Sequence, residues 1–472
     1  MNRRNAPHRF ALLAILLLAA GLRFNAATRD IRFHPDEALY STFARNAVTY
    51  GDWWLPGPLD KPPLSIYASA LSMHFFASKI TPLNIIDVPL VKGEFAARLP
   101  NVFAGILLIA MLYTITATIY NKPVALLAAL LVTISPHAVG FSASAFTDML
   151  MITLGMASVL AMLRGYPAVS GLLLVLSIAA KPHGIFFLTW LPFTMIHNRR
   201  LEWRHFLAAF TVGIAALVLW DALRPGESFW SVGNRHINPG HPFSTPDEWG
   251  DRLRLWLEFS PELFGPAWLT GGLVAVGLWR IITRGRPYER LLGLFIAGYS
   301  SAHIISALPI FDRYLVLAVP PMAMLVAVGL ITITKRFNMP QSAVMLSVLL
   351  FALPVIPYDT GQYGRRGGDI LALADAVNTR EFGAIVYDHW LGWEMGYYLG
   401  AWSDKRRVYY PTPDDLSMDA PRNPDRAPRY LIAPADVDFI AWLQAAHEAG
   451  FRADLERSVP GFVMYRLTRS PD

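Results

Sequence analysis

Cysteine is absent from the 472 residues, which excludes disulfides and every thiolate metal site and leaves the redox compartment unspecified. Charge is scarce as well: Asp, Glu, Lys and Arg make up 16% of the chain, against roughly 25% in soluble domains. There is no P-loop and no dinucleotide-binding glycine fingerprint, so nothing points to nucleotide chemistry. Internal repeats and low-complexity tracts are also missing.

What remains is hydrocarbon. Residues of the AVILMFWYC set reach 54%, mean hydropathy is +0.35, and long apolar runs recur along the whole length. This is the composition of a polytopic α-helical membrane protein. Candidate spans are 10–24, 95–119, 124–134, 149–163, 168–180, 185–196, 206–220, 263–282, 291–308, 314–334 and 343–356. That is about eleven, several of them short for a ~30 Å hydrocarbon core. The two that flank Lys181 read equally well as one broken helix.

The basic excess, a net charge of +6 and a pI near 9.4, is a topology signal and calls for no nucleic acid. With the N-terminus inside, the short cytoplasmic loops collect Arg3, Arg4, Arg9, Lys122, Arg164, Arg199, Arg200, Arg204, Arg280, Arg284, Arg286, Arg290, Lys335 and Arg336. Only Glu202 and Glu289 oppose them. The first span imitates a secretory signal. Arg23, placed where a span would emerge into the outer headgroups, argues for an uncleaved anchor. The expected organisation is a membrane domain over 1–357 with external loops 26–94 and 221–262. A small external α/β domain follows over 358–472.

Within the first loop, Leu39, Phe43, Ala47 and Tyr50 recur at helical spacing with Arg45 and Asn46 opposite, the pattern of an amphipathic helix lying in the membrane surface. Residues 64–76 read as a second such segment. Trp53 and Trp54 suit the interface. The loop 221–262, with Trp230, Trp249 and Trp256, is long enough for a lid. Beyond a glycine-rich linker at 361–368, short buried strands are expected near 384–387, 430–432 and 462–465, and helices over 370–377 and 439–447.

Asp36, Lys61, Asp148, Lys181 and Arg313 all fall on the external side. A carboxylate can take a proton from a hydroxyl, and cations can stabilise a departing phosphate, so the set suits group transfer from a phosphate-activated lipid. Each residue also has an ordinary role open to it. Asp36 and Glu37 suit the first turn of a helix, and Asp148 beside Thr147 suits an N-terminal cap. Lys61 and Lys181 suit snorkelling at an interface, and Arg313–Tyr314 an interfacial anchor. Asp60 and Lys61 precede a proline on an extended stretch, so their side chains are expected to point apart. His34, His137 and His183 match no compact ligand spacing, so no cofactor is expected and a divalent metal stays open but unsupported.

His34-Pro35-Asp36-Glu37-Ala38-Leu39-Tyr40, Asp60-Lys61-Pro62-Pro63-Leu64 and Phe146-Thr147-Asp148-Met149 resemble the GT-C membrane glycosyltransferases. The nearest pattern is the bacterial branch that groups protein O-mannosyltransferases with the aminoarabinose transferase acting on lipid A. The resemblance implies a polyprenyl-phosphate sugar donor and inverting transfer to an envelope lipid or glycan on the periplasmic face of the inner membrane. It makes Asp36 the base, Asp148 the second acid, and Lys61 a contact to the donor phosphate. Glu37, Asp60, Lys181, Arg313 and Tyr314 join the substrate contacts. Lys61 stands where protein-mannosylating members carry histidine-rich proline motifs, which favours the lipid A-type pattern over a protein acceptor. The rival class is a flippase for the same lipids. It would place functional groups near the midplane, often on inverted repeats, and neither is visible.

Overall fold

The computed structural model describes residues 6–191, 203–237, 241–340, 348, 367–422 and 426–469. The expected span 343–356 apart from Val348, the end of the span 185–196, and linker residues 361–366 lie outside them. Helix α1 (Ala6–Ala27) leads to α2 (Pro35–Tyr50) and α3 (Leu64–Phe76). A small antiparallel ladder, β1 (Lys79–Ile80) with β2 (Ile86–Asp87), precedes α4 (Leu90–Ile119). Then come α5 (Lys122–Ile134), α6 (Pro136–Ser142), α7 (Asp148–Leu163), α8 (Pro167–Ala180) and a 3-10 segment, Pro182–Trp190. They continue with α9 (Trp203–Leu223), α10 (Phe229–Ile237), α11 (Trp249–Phe259), α12 (Pro261–Phe264), α13 (Ala267–Arg284) and α14 (Pro287–Ile305). A further 3-10 segment, Asp312–Ala318, runs into α15 (Val319–Arg336).

Among the described residues four helices are each long and apolar enough to cross a membrane: Pro7–Ala27, Leu90–Ile119, Trp203–Leu223 and Asp312–Arg336. The number rises to six if α5 with α6, bent by 60°, and Pro246–Phe264 with α13, bent by 85°, each count as one span. Helices α3, α7 and α8 are apolar but shorter. The elements are those of a multi-pass membrane protein. Lengths alone support fewer full crossings among the described residues than the apolar runs of the sequence suggest.

The chain forms two compact units. One comprises Met1–Arg29, Asp52–Ser72 and Phe95–Tyr363, the other Asp30–Gly51, Met73–Glu94 and Gly364–Asp472. In the first, the break between α5 and α6 has an identifiable cause. Pro136 has no N–H to give and its ring collides with the carbonyl four residues back, so the helix bends and frees carbonyls of the preceding turn. Arg23 takes them: its guanidinium donates to Val132 O at 3.2 Å, Thr133 O at 3.3 Å and Ser142 Oγ at 3.1 Å. Arg23 is fully enclosed, so its guanidinium meets protein and not lipid headgroups: it is a structural plug at a proline break. Elsewhere Gly277 of α13 faces the backbone of Leu325, and Gly329 of α15 that of Leu273, so closely that no Cβ fits at either glycine. Small residues let the two helices cross in near contact.

In the second unit α2 is helical as its spacing predicts, yet it does not lie on a surface with one wet side. Eleven of its sixteen residues are buried. Arg45, expected outward, donates to Tyr397 O at 2.5 Å and Gly396 O at 3.0 Å. Those carbonyls close the end of a helix of the C-terminal segment, α17 (Gly392–Tyr398), which follows α16 (Ile370–Asn378). Phe33 packs edge-on against Tyr397 at 4.8 Å, and Phe33 N donates to Tyr398 Oη at 2.6 Å. The sheet order is β4-β3-β5-β7-β6. Its strands are β3 (Ile385–Asp388), β4 (Arg406–Tyr409), β5 (Arg429–Pro434), β6 (Phe451–Val459) and β7 (Phe462–Arg469). The first three run parallel; β7 pairs antiparallel with β5 and β6. Helices α18 (Pro413–Asp419) and α19 (Ile440–Glu448) complete it. The buried strands fall where the apolar runs predict. The two unforeseen strands, β4 and β6, are the polar edges.

Candidate active site

In the first unit two helix ends, a 3-10 segment and the extended stretch before α3 carry the expected charges. Asp148 is the first residue of α7, and Thr147 before it makes no side-chain cap. Lys181 closes α8 in an extended conformation, the one that the following Pro182 imposes on its predecessor. That turn carries the lysine out of the helical path and across to Asp148, where Nζ lies 2.5 Å from Oδ1. Both side chains are almost completely buried, 3% and 4% exposed. The second carboxylate oxygen, Asp148 Oδ2, is enclosed without a hydrogen-bond partner among the described residues. Lys181 Nζ also stands 5.0 Å from the centre of the Tyr314 ring. The loop before Asp148 is held by Asn101, whose Nδ2 donates to Ser144 O at 2.8 Å and Phe146 O at 2.5 Å.

Arg313 stacks over Phe311 at 4.4 Å and faces Phe146 at 5.7 Å. It and Lys61 are near enough to act electrostatically on Lys181. Lys61 departs from the expected geometry. Its long stem folds back so that Nζ reaches Asp60 Oδ2 at 2.5 Å and Asp60 O at 3.4 Å. The backbone points successive side chains apart, but four methylenes are enough to undo that. Asp60 Oδ1 is left buried without a partner among the described residues. Gly233 of α10 approaches Asp60 O to within 3.0 Å of where a Cβ would sit. Arg224 donates to Leu55 O at 3.0 Å and Gly57 O at 2.7 Å, so the 221–262 loop is fastened to the 52–61 stretch.

The remaining sequence candidates, Asp36 and Glu37, belong to the second unit. His34 Nδ1 accepts from Asp36 N at 3.1 Å, and Glu37 Oε2 accepts from His34 N at 3.0 Å. The two together form a capping box at the start of α2. Glu37 is fully buried, whereas Asp36 is half-buried.

Several residues around Tyr314 escape a motif search. His183 stacks on Tyr314 at 5.1 Å, and His303 of α14 lies 5.1 Å from the same ring. Tyr299 donates to Tyr314 O at 2.7 Å. A histidine inside an apolar run, as His303 is, was the available signal. His137 Nε2 lies 3.1 Å from Asp312 O; a carbonyl only accepts, so the ring proton is on Nε2. Its Nδ1 approaches Glu262 Oε2 to 3.0 Å without hydrogen-bond alignment. Among the described residues no three His, Asp or Glu side chains are grouped closely enough to hold a metal ion.

No family model and no curated protein matches this sequence. Solved structures do. The chain is similar to ArnT from Cupriavidus metallidurans bound to undecaprenyl phosphate, with 15% identity, a TM-score of 0.66, and 98% of this chain and 99% of that one covered. The apo state of ArnT gives 14% identity and a TM-score of 0.64 over the same shares. This chain shares the fold of the two ArnT structures. A more distant likeness is to the oligosaccharyltransferase AglB from Archaeoglobus fulgidus, in complex with an inhibitory peptide and a dolichol-phosphate. There the identity is 11%, the TM-score 0.59, and the cover 94% of this chain and 71% of that one. The fold shared with ArnT spans nearly the whole chain and agrees with the family resemblance read in the sequence.

Proposed function

We propose that this chain is an inverting glycosyltransferase. It moves a sugar from a polyprenyl-phosphate donor to an envelope acceptor, a lipid A, lipopolysaccharide or other glycan or lipid, at the outer face of the bacterial inner membrane. In that orientation the N-terminus is cytoplasmic and residues 358–472 are periplasmic. The observation that carries the reading is the enclosed Asp148–Lys181 pair beside Tyr314, set in a fold shared with a protein bound to undecaprenyl phosphate. Burying an ion pair costs desolvation that its mutual attraction often fails to repay, which favours a functional role for this one.

In this mechanism the acceptor hydroxyl oxygen attacks the anomeric carbon from the face opposite the phosphate. Its proton passes to Asp36. The bond from the anomeric carbon to the phosphate oxygen breaks, and the electron pair leaves on the phosphate, where Lys61, Lys181 and Arg313 stabilise it. Asp148 holds Lys181 and offers its second oxygen to the substrate, and Tyr314 forms the wall beside the lysine. Glu37 and Asp60, expected among the substrate contacts, work through their neighbours: Glu37 fixes the helix start that presents Asp36, and Asp60 steers Lys61.

The test is purified protein in detergent, where no second leaflet exists, with a radiolabelled sugar on polyprenyl phosphate and an envelope-lipid extract. Label moves to a new product, and Lys61→Ala slows this transfer more than it weakens donor binding. If the donor stays intact across several sugars and extracts, the lipid-carrier reading replaces this one.

A further inference from the structure

A second concentration of positive charge lies at the far end of the segment that carries Arg313 and Tyr314. Asp312–Arg336 is 25 residues long and apolar enough to cross a membrane, and its last turn holds Lys335 and Arg336. At about 1.5 Å per residue, α15 alone covers ~27 Å, close to the thickness of a hydrocarbon core. Helix α13 has Arg284 in its own last turn. The two helices cross in near contact at Gly277 and Gly329. Past this crossing their final turns, together with Tyr120 and Asn121 between α4 and α5, line one cavity of about 640 Å³.

Four cations converge on this cavity: Arg280, Arg284, Lys335 and Arg336. Among the described residues one carboxylate meets them, Glu289 of α14, 3.4 Å from Arg280, and none pairs with the other three. Basic residues in a last turn complement the helix dipole, and basic loops set topology. Neither effect needs cations from two helices to line one hollow. The other walls are apolar. Val276, Val328 and Ile331 contribute, as do Trp279 and Phe337, which are 56% and 71% exposed. A free phosphate would gain nothing from such walls. A molecule with a phosphate at one end and acyl chains at the other would use both kinds, and the volume is that of a ligand pocket.

We propose that this cavity binds the headgroup of an anionic phospholipid, on the membrane face opposite the Asp148–Lys181 pair. The phosphate lies among Arg284, Lys335 and Arg336, and an acyl chain follows Trp279 and Phe337. Bound there, the lipid ties the end of α13 to the end of α15, which itself continues from the 3-10 segment carrying Tyr314. Such binding requires no sugar transfer.

The test is photolabelling of the full-length protein in detergent. A phosphatidylglycerol with a diazirine on its acyl chain is added, the sample is illuminated, and labelled peptides are mapped by mass spectrometry. Label is expected on residues 276–284 and 328–337. Unlabelled phosphatidylglycerol should compete at least about tenfold better than phosphatidylcholine or inorganic phosphate, since each cation near the headgroup adds severalfold. Arg284→Gln, Lys335→Gln and Arg336→Gln together should cut labelling there by at least about tenfold. Arg164→Gln, Arg204→Gln and Arg290→Gln together should not: these exposed cations are expected on the same side but do not line the cavity. Label spread evenly over other spans, or equal competition by phosphatidylcholine, overturns the proposal. Inorganic phosphate competing as well as phosphatidylglycerol overturns the lipid assignment and makes the site one for a soluble anion. Equal loss in the two triple variants overturns it too, leaving only general surface charge. The wild-type arm decides even where a variant fails to fold, and no readout needs turnover, so the result stands apart from the transferase reading.

Discussion

Asp36 and Asp148 look alike in the sequence: each is an acid at the start of a helix, and each follows a residue that suits a helix beginning. The structure separates them. The start of α2 is closed by its neighbours, with the Asp36 N–H taken by His34 and the His34 N–H taken by Glu37. Capping is complete without the Asp36 carboxylate. The start of α7 has no side-chain cap, and the Asp148 carboxylate is committed on one oxygen to Lys181. Asp148 is thus bound into the architecture through Lys181, whereas the capping box of α2 is made by His34 and Glu37.

The largest expected effect follows from that difference. Asp36→Asn should lower transfer by a factor on the order of 10²–10⁴, the usual worth of a general base, with a smaller drop in the thermal unfolding midpoint in detergent than Asp148→Asn gives. Asp148→Asn should lose transfer and stability together. The comparison breaks if Asp36→Asn unfolds the protein as readily as Asp148→Asn does, because Asp36 would then be structural too. Next in size is Lys181→Met, which strands the Asp148 carboxylate in an enclosed site. Removing one partner of a buried pair costs about 3–5 kcal/mol, read as a lower unfolding midpoint. The double change Asp148→Leu with Lys181→Met should recover much of that loss while remaining inactive.

A smaller effect tests the cap. Glu37→Ala leaves the buried His34 N–H without its acceptor, worth about 1–3 kcal/mol. Donor turnover should fall less than in Asp36→Asn, since the proposed base itself is intact. If Glu37→Ala abolishes transfer at unchanged stability, Glu37 contacts substrate directly and the frame assigned to it is wrong.

How far the sequence carries depends on what each signal needs in order to be seen. Apolar periodicity is local, so most helices and the buried strands β3, β5 and β7 lie where the pattern puts them. Edge strands do not announce themselves: β4 is Arg-Arg-Val-Tyr and β6 alternates charge with apolar residues, because an edge is kept polar against further pairing. Long-range partners are invisible as well. The spacing of Leu39, Phe43 and Ala47 predicts a helix, but nothing local says that Arg45 will be buried against carbonyls more than three hundred residues away. Arg23 is the same case, since its role exists only once Pro136 has opened a helix 113 positions later. In the site, Lys181 before Pro182 is a legible pair, whereas His303 becomes meaningful only when the chain folds it beside Tyr314.

The smallest effect sets the scale at which a surface carboxylate differs from Asp36 and Asp148. Glu381 accepts from Tyr430 Oη at 2.5 Å and pairs with Arg466 at 3.1 Å. The Tyr430 hydrogen bond, with smaller help from Arg466 and Arg380, holds the Glu381 carboxyl below its usual value. A depressed folded-state value means that the ionised form is favoured in the native protein. The stabilisation is therefore full at neutral pH, above the unfolded value, and is lost as pH falls through the lowered folded one. Its size is limited to less than ~1 kcal/mol, because water and salt screen so open a pair; Glu381 and Arg466 are 44% and 43% exposed. Glu381→Gln should therefore flatten the acid side of the stability curve slightly, lower the midpoint at pH 7 by a small margin, and leave transfer untouched. Stability followed from pH 7 down to pH 3 in the two proteins gives the difference, which should shrink toward zero at the acid end. A difference that instead grew on acidification would require Glu381 to be raised rather than depressed. It would then resemble a carboxyl enclosed without a charged partner more than one held by its hydrogen bonds.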